Sequence, residues 1–461
     1  METFDQVIVG GGPAGYVAAL RASGLGQSTA LVEDRELGGT CLNRGCIPSK
    51  TLLQHAEAVN CVRNASEYGI QVEGFHLRYG DMLDRKDKVI QQLRQGVQSL
   101  MKKGRIQVFQ GRGTVYANKQ VTVTNKDGEE KVIAGRAVII ASGSVPSVPP
   151  IPGLKDTEHY TSDTIYDRHS LPASMAIVGG GFIGTEYACL YQSLGVQVTV
   201  IEAAERLIPQ EDEDAAKMLA GALEELGVTV LTGTSVTSVK QQGNQAVVHV
   251  QDASGNDRGL TTEMLLISTG REPVIAAAED LQLRMDGRFV AVDGSMQTSV
   301  PGIYAAGDIV GGWQLAHAAS AEGILAAEHA AGAAPSMDLS LVPRCIYTLP
   351  EIASVGLSEQ EAKQRYSDVK VKTVPLQGNA KAMTIGETRG FVKIISREMF
   401  GEILGVVMAG PHVTEMIGEP AAYIHLEGTT EEWSSQVHAH PSLSEALFEG
   451  ASALAGRPVH Q

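Results

Sequence analysis

The sequence predicts an α/β protein that carries two copies of one strand–helix–strand unit. Three observations support this. The chain has 461 residues, enough for roughly three domains at about 150 residues each. It holds 51 glycines, several at fixed spacing next to apolar runs. One stretch also repeats without gaps: VIVGGGPAGYVAALRASGLGQSTALVE at 7–33 aligns with AIVGGGFIGTEYACLYQSLGVQVTVIE at 176–202. Each copy reads as a short apolar strand, Gly-x-Gly-x-x-Gly, an amphipathic helix and a second apolar strand closing on glutamate.

The glycine positions have separate physical reasons. Gly10 and Gly179 permit the tight turn, Gly12 and Gly181 let a pyrophosphate approach the backbone, and Gly15 and Gly184 let helix pack on strand. The helix N-terminus then offers free N–H groups and partial positive charge to phosphates. Glu33 and Glu202 each stand 23 residues after the first glycine of their motif. That places them to accept hydrogen bonds from a ribose 2′-hydroxyl, and the carboxylate repels a 2′-phosphate, so the second site should prefer NAD over NADP. Two dinucleotides are implied, and spacing does not assign them.

Composition excludes several other classes. With 53 acidic and 37 basic residues the formal charge is -16, the wrong sign for a sequence-independent nucleic-acid surface. No run approaches the roughly 20 apolar residues of a membrane span, and the chain opens on a strand-like FDQVIVG instead of a signal-peptide pattern. The expectation is a cytoplasmic protein with no membrane or nucleic-acid partner. Five cysteines are too few for a secreted disulfide framework. Cys61, Cys189 and Cys345 read as inert core thiols.

Cys41 and Cys46, in GGTCLNRGCIPSK at 38–50, come soon after the first unit. In a regular helix residues five apart have Cα atoms roughly 8.6 Å apart, while a disulfide needs less than about 7 Å. A bridge therefore requires irregular backbone, which Asn43 and Gly45 supply, with Pro48 favouring a helix that opens just after Cys46. A thiol there gains thiolate character. A structural staple would close too short a loop to stabilise much. Zinc would need a second ligand cluster that is not near in sequence, so no metal is expected. Redox chemistry is the reading these residues favour.

Near the end, VHAHPSLSEALFEG sets His440 before a proline and Glu445 five residues on. Dithiol chemistry needs a proton acceptor in the imidazole range, and a carboxylate behind it would hold the ring. The same residues also fit a capping box in which Glu445 only satisfies helix amides.

GGTCLNRGCIPSK resembles the active-site stretch of the flavin-dependent pyridine nucleotide-disulfide oxidoreductases, in particular the dihydrolipoyl dehydrogenase branch. ASGSVPSVPPIPG (141–153), TSVPGIYAAGDI (298–309), IYTLPEIASVG (346–356), GETRGFVKI (386–394) and HAHPSLSEAL (438–447) extend the likeness in order along the chain. The resemblance implies an α/β fold with two Rossmann-like dinucleotide-binding domains plus a C-terminal α+β dimerisation domain. The expected boundaries are 1–147 for FAD binding, 148–271 for NAD binding, 272–337 for a segment returning to the first domain and 338–461 for dimerisation. SVPSVPPIPG and GAAPSMDLSLVP read as linkers.

The resemblance also implies the roles. FAD would meet Gly10, Gly12, Gly15, Glu33, Gly39, Thr40, Lys50, Gly113, Ser142, Gly143, Asp308 and Ala316. NAD would meet Gly179, Gly181, Gly184, Glu202, Val236 and Gly270. Cys41 would exchange with dihydrolipoamide and Cys46 with the flavin, Lys50 would pair with Glu186 beside it, and His440 with Glu445 would come from the partner of a homodimer, leaving His438 a bystander. The expected partner is a lipoyl carrier protein, in a 2-oxoacid dehydrogenase complex with its E2 subunit-binding domain or in glycine cleavage.

Three residues depart from the family pattern: Ser142 stands where threonine is frequent, Ala318 where lysine is usual, and Glu272 where a basic residue is common. A lipoyl domain before the first strand and a further C-terminal cysteine pair are both missing, which separates the expectation from mercuric reductase and the larger thioredoxin reductases. Two alternatives remain: a disulfide reductase for another small thiol, and a flavoprotein that mainly binds a complex or senses NADH.

Overall fold

In the computed structural model, which describes residues 1–335 and 337–460, the first glycine motif sits at the end of strand Glu2–Val9. This strand is the centre of a seven-stranded sheet. It pairs in parallel with Thr29–Glu33 on one side and Glu130–Ile140 on the other. Val7, Ile8 and Val9 are buried, as expected of a strand covered on both faces. Helix Pro13–Gly24 covers one face. Strand Ile303–Ala305 adds in parallel to Glu130–Ile140, and helix Ala316–Ala330 then packs on Pro13–Gly24 through Ala14, Ala18, Ala319 and Ala326. The approach is close: a Cβ on Gly323 would lie 2.2 Å from Ala14 O.

The second motif repeats the plan. Strand Ser174–Val178 lies between Gln197–Ile201 and Met264–Ile267 in an all-parallel five-stranded sheet, with helix Phe182–Ser193 as its crossover. A three-stranded antiparallel sheet, Thr234–Gln242, Gln245–Asp252 and Asp257–Thr262, flanks it.

The C-terminal part is an antiparallel five-stranded sheet. Its strand Ile403–Gly410 is buried at all eight positions, between the second unit on one face and a helical layer containing Trp433 and Leu447 on the other. Ser336 of the expected linker and Gln461 at the end of the chain lie outside the described residues. Among the described residues no helix is long and apolar enough to cross a membrane.

Long helix Cys46–Arg63 belongs to the first half of the sequence, yet it packs against the second. Its Leu52, Leu53 and Ala56 share one core with Tyr187, Leu190 and Tyr191 of helix Phe182–Ser193. That contact sets the site, because it brings the cysteine segment against the second glycine unit.

Candidate active site

A cavity of about 1050 Å³ runs from one glycine motif to the other. Gly10, Gly12, Gly39 and Thr40 line it at one end, and Gly179, Gly181, Glu202 and Val236 at the other. Gly15 and Gly184 stay out of the wall for a steric reason: an added Cβ would lie 1.8 Å from Gly10 O and 2.0 Å from Gly179 O. Both therefore serve the helix–strand approach.

The glutamates closing the two units are held alike. Glu33 accepts the Gly11 N–H at 2.6 Å and the Arg35 N–H at 2.8 Å, while Glu202 accepts from Gly180 at 2.6 Å and Ala204 at 2.7 Å. Burial pushes the Glu33 carboxyl up to about 7, against these donors. Both crossover helices begin without a side-chain cap, so their first-turn amides are open to a phosphate. A channel with glycine floors, two uncapped helix starts and an acid closing each unit fits FAD and NAD end to end.

Between the ends stand the cysteines. Short helix Gly39–Asn43 stops, Arg44 and Gly45 turn the chain, and a new helix opens at Cys46 itself, one residue earlier than the expected start just after it. The Arg44 and Gly45 N–H groups both donate to Thr40 O, at 2.9 and 2.7 Å. Asn43 acts by bonding and not by backbone freedom: its Nδ2 donates to Leu37 O and Gly39 O, and Arg94 donates to its Oδ1 at 2.7 Å.

Both thiols line the cavity and are free. Donation from Cys41, opposed by burial and assisted by the Lys50 ammonium, holds Cys46 down to about 7. Cys41 is driven far up by the same hydrogen bond and by burial. These directions favour a thiolate on Cys46 over one on Cys41.

Lys50, one turn further on, donates to both Glu186 oxygens at 2.8 and 2.7 Å. Burial works to lower its pKa, but Glu186 and Cys46 outweigh it and raise it, so the ammonium persists. Sequence reasoning missed the third member, Tyr347. Its backbone N–H donates to Glu186 Oε1 at 3.0 Å, and its ring lies 4.7 Å from Lys50 Nζ. The available signal was its place in IYTLPEIASVG.

Asp308 comes just after strand Ile303–Ala305 and lines the cavity beside Ser142, Gly143 and Ala316, with Gly113 and Gly270 also in the wall. Ser144 Oγ donates to Asp308, and Arg271 reaches Ser144 Oγ at 2.7 Å and Ser144 O at 2.8 Å. The preceding Gly307 N–H donates to Glu322 at 2.7 Å, a carboxyl that burial pushes up to about 7. Arg271 and Glu322 were missed although Arg271 directly precedes Glu272 and Glu322 lies one helical turn after Ala318, both noted departures. Ser142 Oγ donates to Val274 O at 2.6 Å.

His440 is not brought to the thiols within one chain. Its Nδ1 meets Glu445 Oε1 at 2.9 Å, its side chain is 73% exposed, and neither residue lines the cavity. Glu445 does both things its sequence allowed, because its Oε2 also accepts the Ser442 N–H at 2.8 Å. The reciprocal half of a capping box is missing, since Ser442 Oγ has no partner. Burial works against the Glu445 carboxylate, but Ser442 and His440 together hold its pKa low. His438 is bound to Glu419 at 2.8 Å. Two other cysteine expectations need correction: Cys61 is exposed, and Cys345 lines the cavity, its thiol pushed up to about 12 by burial. Only Cys189 is a buried core thiol, because it alone faces the packed side of a central helix.

Two dinucleotide ends joined through a thiol pair and a charged lysine define a flavin- and nicotinamide-dependent thiol–disulfide oxidoreductase. The chain belongs to the pyridine nucleotide-disulphide oxidoreductase family, whose model matches residues 4–323, with the dimerisation domain of that family matching 342–451. It is an oxidoreductase whose cofactors are FAD and NAD. A protein named dihydrolipoyl dehydrogenase from Bacillus subtilis is 41% identical over 99% of both chains. One from Chlamydia pneumoniae is 38% identical over 100% of this chain and 98% of its own. Among solved structures, LpdA from Mycobacterium tuberculosis superposes with a TM-score of 0.90 at 28% identity, covering 98% of this chain and 100% of that one. The HOCl-induced flavoprotein disulfide reductase RclA from Escherichia coli gives 0.88 at 28%, with the same coverage.

Proposed function

We propose that this protein oxidises dihydrolipoamide to lipoamide and reduces NAD+ to NADH, releasing one proton. The observation that carries the reading is the placement of Cys41, Cys46 and the Lys50–Glu186 pair midway along a cavity that joins both glycine motifs.

In the oxidised protein the two cysteines form a disulfide, and a substrate thiolate attacks the Cys41 sulfur. Cys46 is the better leaving group because its thiolate is the more stable of the two. The second substrate thiol then closes the lipoamide ring and releases Cys41. His440 of the partner subunit, oriented by Glu445, takes the proton of the attacking substrate thiol and donates one to the departing Cys41 sulfur, which burial disfavours as an anion. Lys50 keeps positive charge beside the Cys46 thiolate. FAD, when bound, would supply the two-electron carrier between the thiols and NAD+. Glu33 and Glu202 would hold the two riboses, and Asp308, fixed by Ser144 and Arg271, would serve the flavin's ribityl region.

In this reading residues 1–147 and 148–271 bind FAD and NAD, 272–337 completes the first unit, and 338–461 forms a homodimer. It works in the cytoplasm as the E3 component on a lipoyl carrier, bound to an E2 subunit-binding domain or serving glycine cleavage.

A second reading, reduction of another small disulfide, is favoured by Ala318 and Glu272 at positions where the family usually carries basic residues, and by the likeness to a disulfide reductase. Steady-state turnover of dihydrolipoamide, glutathione disulfide and coenzyme A disulfide, each with NAD and NADP nucleotides, decides between them. Dominant lipoamide activity with NAD supports the first; negligible lipoamide activity sinks it.

A further inference from the structure

The two glycine units hold one residue in the same unusual backbone conformation. In the first, the Gly38 N–H donates to Gly11 O at 2.8 Å and φ is +95°. In the second, the Ile208 N–H donates to Gly180 O at 2.9 Å and φ is +40°. A leucine precedes each: a Cβ on Gly11 would lie 3.0 Å from Leu37 Cδ2, and one on Gly180 2.5 Å from Leu207 Cδ2. Glycine takes left-handed backbone without steric cost. For a β-branched residue that conformation is an outlier, and it persists only where the surroundings over-determine it.

The restraint on Ile208 begins three residues on. The Glu211 N–H donates to Ile208 O at 2.9 Å. Glu211 Oε1 accepts from Arg344 Nε at 2.9 Å, and Oε2 accepts from Ser354 Oγ at 2.6 Å. Asp212 Oδ1 accepts from Lys393 Nζ at 2.8 Å. All five side chains are buried. Arg344, Ser354 and Lys393 sit on three strands of the C-terminal sheet, whereas Ile208, Pro209 and Gln210 form the cavity wall beside the second motif. Two buried ion pairs thus tie the C-terminal sheet to a strained wall of the nucleotide channel. Removing Glu211 strands the Arg344 charge in the interior, which makes that tie far stiffer than a surface salt bridge.

The geometry points to Glu211 as a positioning residue for NAD: held by Arg344 and Ser354, it keeps Ile208 left-handed and the 208–210 wall in the shape that receives the nucleotide. The inference rests on the second motif being the NAD site. Nucleotide affinity then depends on the sheet of the dimerisation domain.

The test is a double-mutant cycle on the flavin-loaded enzyme, read by calorimetric titration of the oxidised protein with NAD+ and with ADP-ribose. Glu211→Gln should raise both Kd values about tenfold and raise KM for NAD+ with little change in kcat, while flavin content and flavin reduction by dihydrolipoamide stay within about twofold. In an Ile208→Gly background, where the strain is gone, the same change should cost less than about threefold. Equal cost in both backgrounds, or none in either, overturns the proposal. If Glu211→Gln does not retain flavin, Ser354→Ala takes its place in the cycle, with a rise of about threefold expected and the same overturning results. Glu202→Ala separates the two levels. If it abolishes NAD+ binding and Glu211→Gln does nothing, only the positioning role fails; if it leaves binding intact, the site assignment fails.

Discussion

The two glycine units share a frame down to single hydrogen bonds and differ in the loop beyond it. In both, the closing glutamate accepts the N–H of the middle glycine at 2.6 Å, and a leucine covers that glycine. Past this point the first unit continues with glycines and a short helix that delivers Cys41 to the cavity. The second continues with Ile208 and Glu211, which turns away into the C-terminal sheet. A left-handed isoleucine costs of order 1–3 kcal/mol, less than the several kcal/mol lost when a buried pair such as Glu211–Arg344 loses one partner. The comparison teaches that one backbone template serves two tasks: the first unit uses its loop for chemistry, the second for attachment.

The largest break in that comparison is Cys46→Ser. It should lower dihydrolipoamide turnover by at least about 10³-fold and remove the long-wavelength thiolate-to-flavin absorption band in an anaerobic titration. Calorimetric NAD+ affinity should stay unchanged, because only the first unit's loop is touched. A retained band would overturn the assignment of Cys46 to the flavin side.

Alanine at the first glycine of each motif separates the units next. A Cβ on Gly10 would lie 2.1 Å from Ala141 O, and one on Gly179 2.5 Å from Ser268 O. Gly10→Ala should give protein without bound flavin. Gly179→Ala should keep flavin and dithiol reactivity while losing NAD+ affinity about 100-fold. If both variants lose the same ligand, the two motifs do not divide the nucleotides as assigned.

A smaller effect sharpens the specificity half of the comparison. Glu202→Gln should raise KM for NAD+ about tenfold, the value of roughly one hydrogen bond to a charged group, and narrow the preference over NADP. Steady-state kinetics with both nucleotides measures this, and an unchanged ratio would remove Glu202 from nucleotide choice.

The smallest expected effect concerns the thiols alone. Because Cys46 is held down to about 7, alkylation of the reduced protein should rise with pH about a midpoint near 7, the thiol prevailing below and the thiolate above. Lys50→Met removes a cation that favours the thiolate, so the midpoint should move up by roughly one unit. A downward shift would contradict the electrostatic role of Lys50.

The features legible in the sequence were local. The glycine turns, the irregular backbone before Cys46 and the acid ending each unit all depend on residues within about 25 positions, where spacing alone constrains geometry. Contacts between distant segments were legible only in part. The Lys50–Glu186 pair, 136 residues apart, came from resemblance and not from pattern, and Tyr347, which completes it, was passed over. Arg271 was missed because its partners Ser144 and Asp308 converge from two other segments. Cys345 was read as core from its surrounding segment, although it lines the cavity.

By itself, then, the sequence determined two dinucleotide units and a reactive cysteine pair, since backbone sterics and helix periodicity act over short spans. Only the tertiary structure decided which charges surround the thiols, how Asp308 and Ile208 are held in place, and that His440 stands apart from Cys41 within one chain. Burial, ion pairing and hydrogen-bond partners are properties of packed surfaces, and packing joins residues whose order in the chain carries no record of the contact.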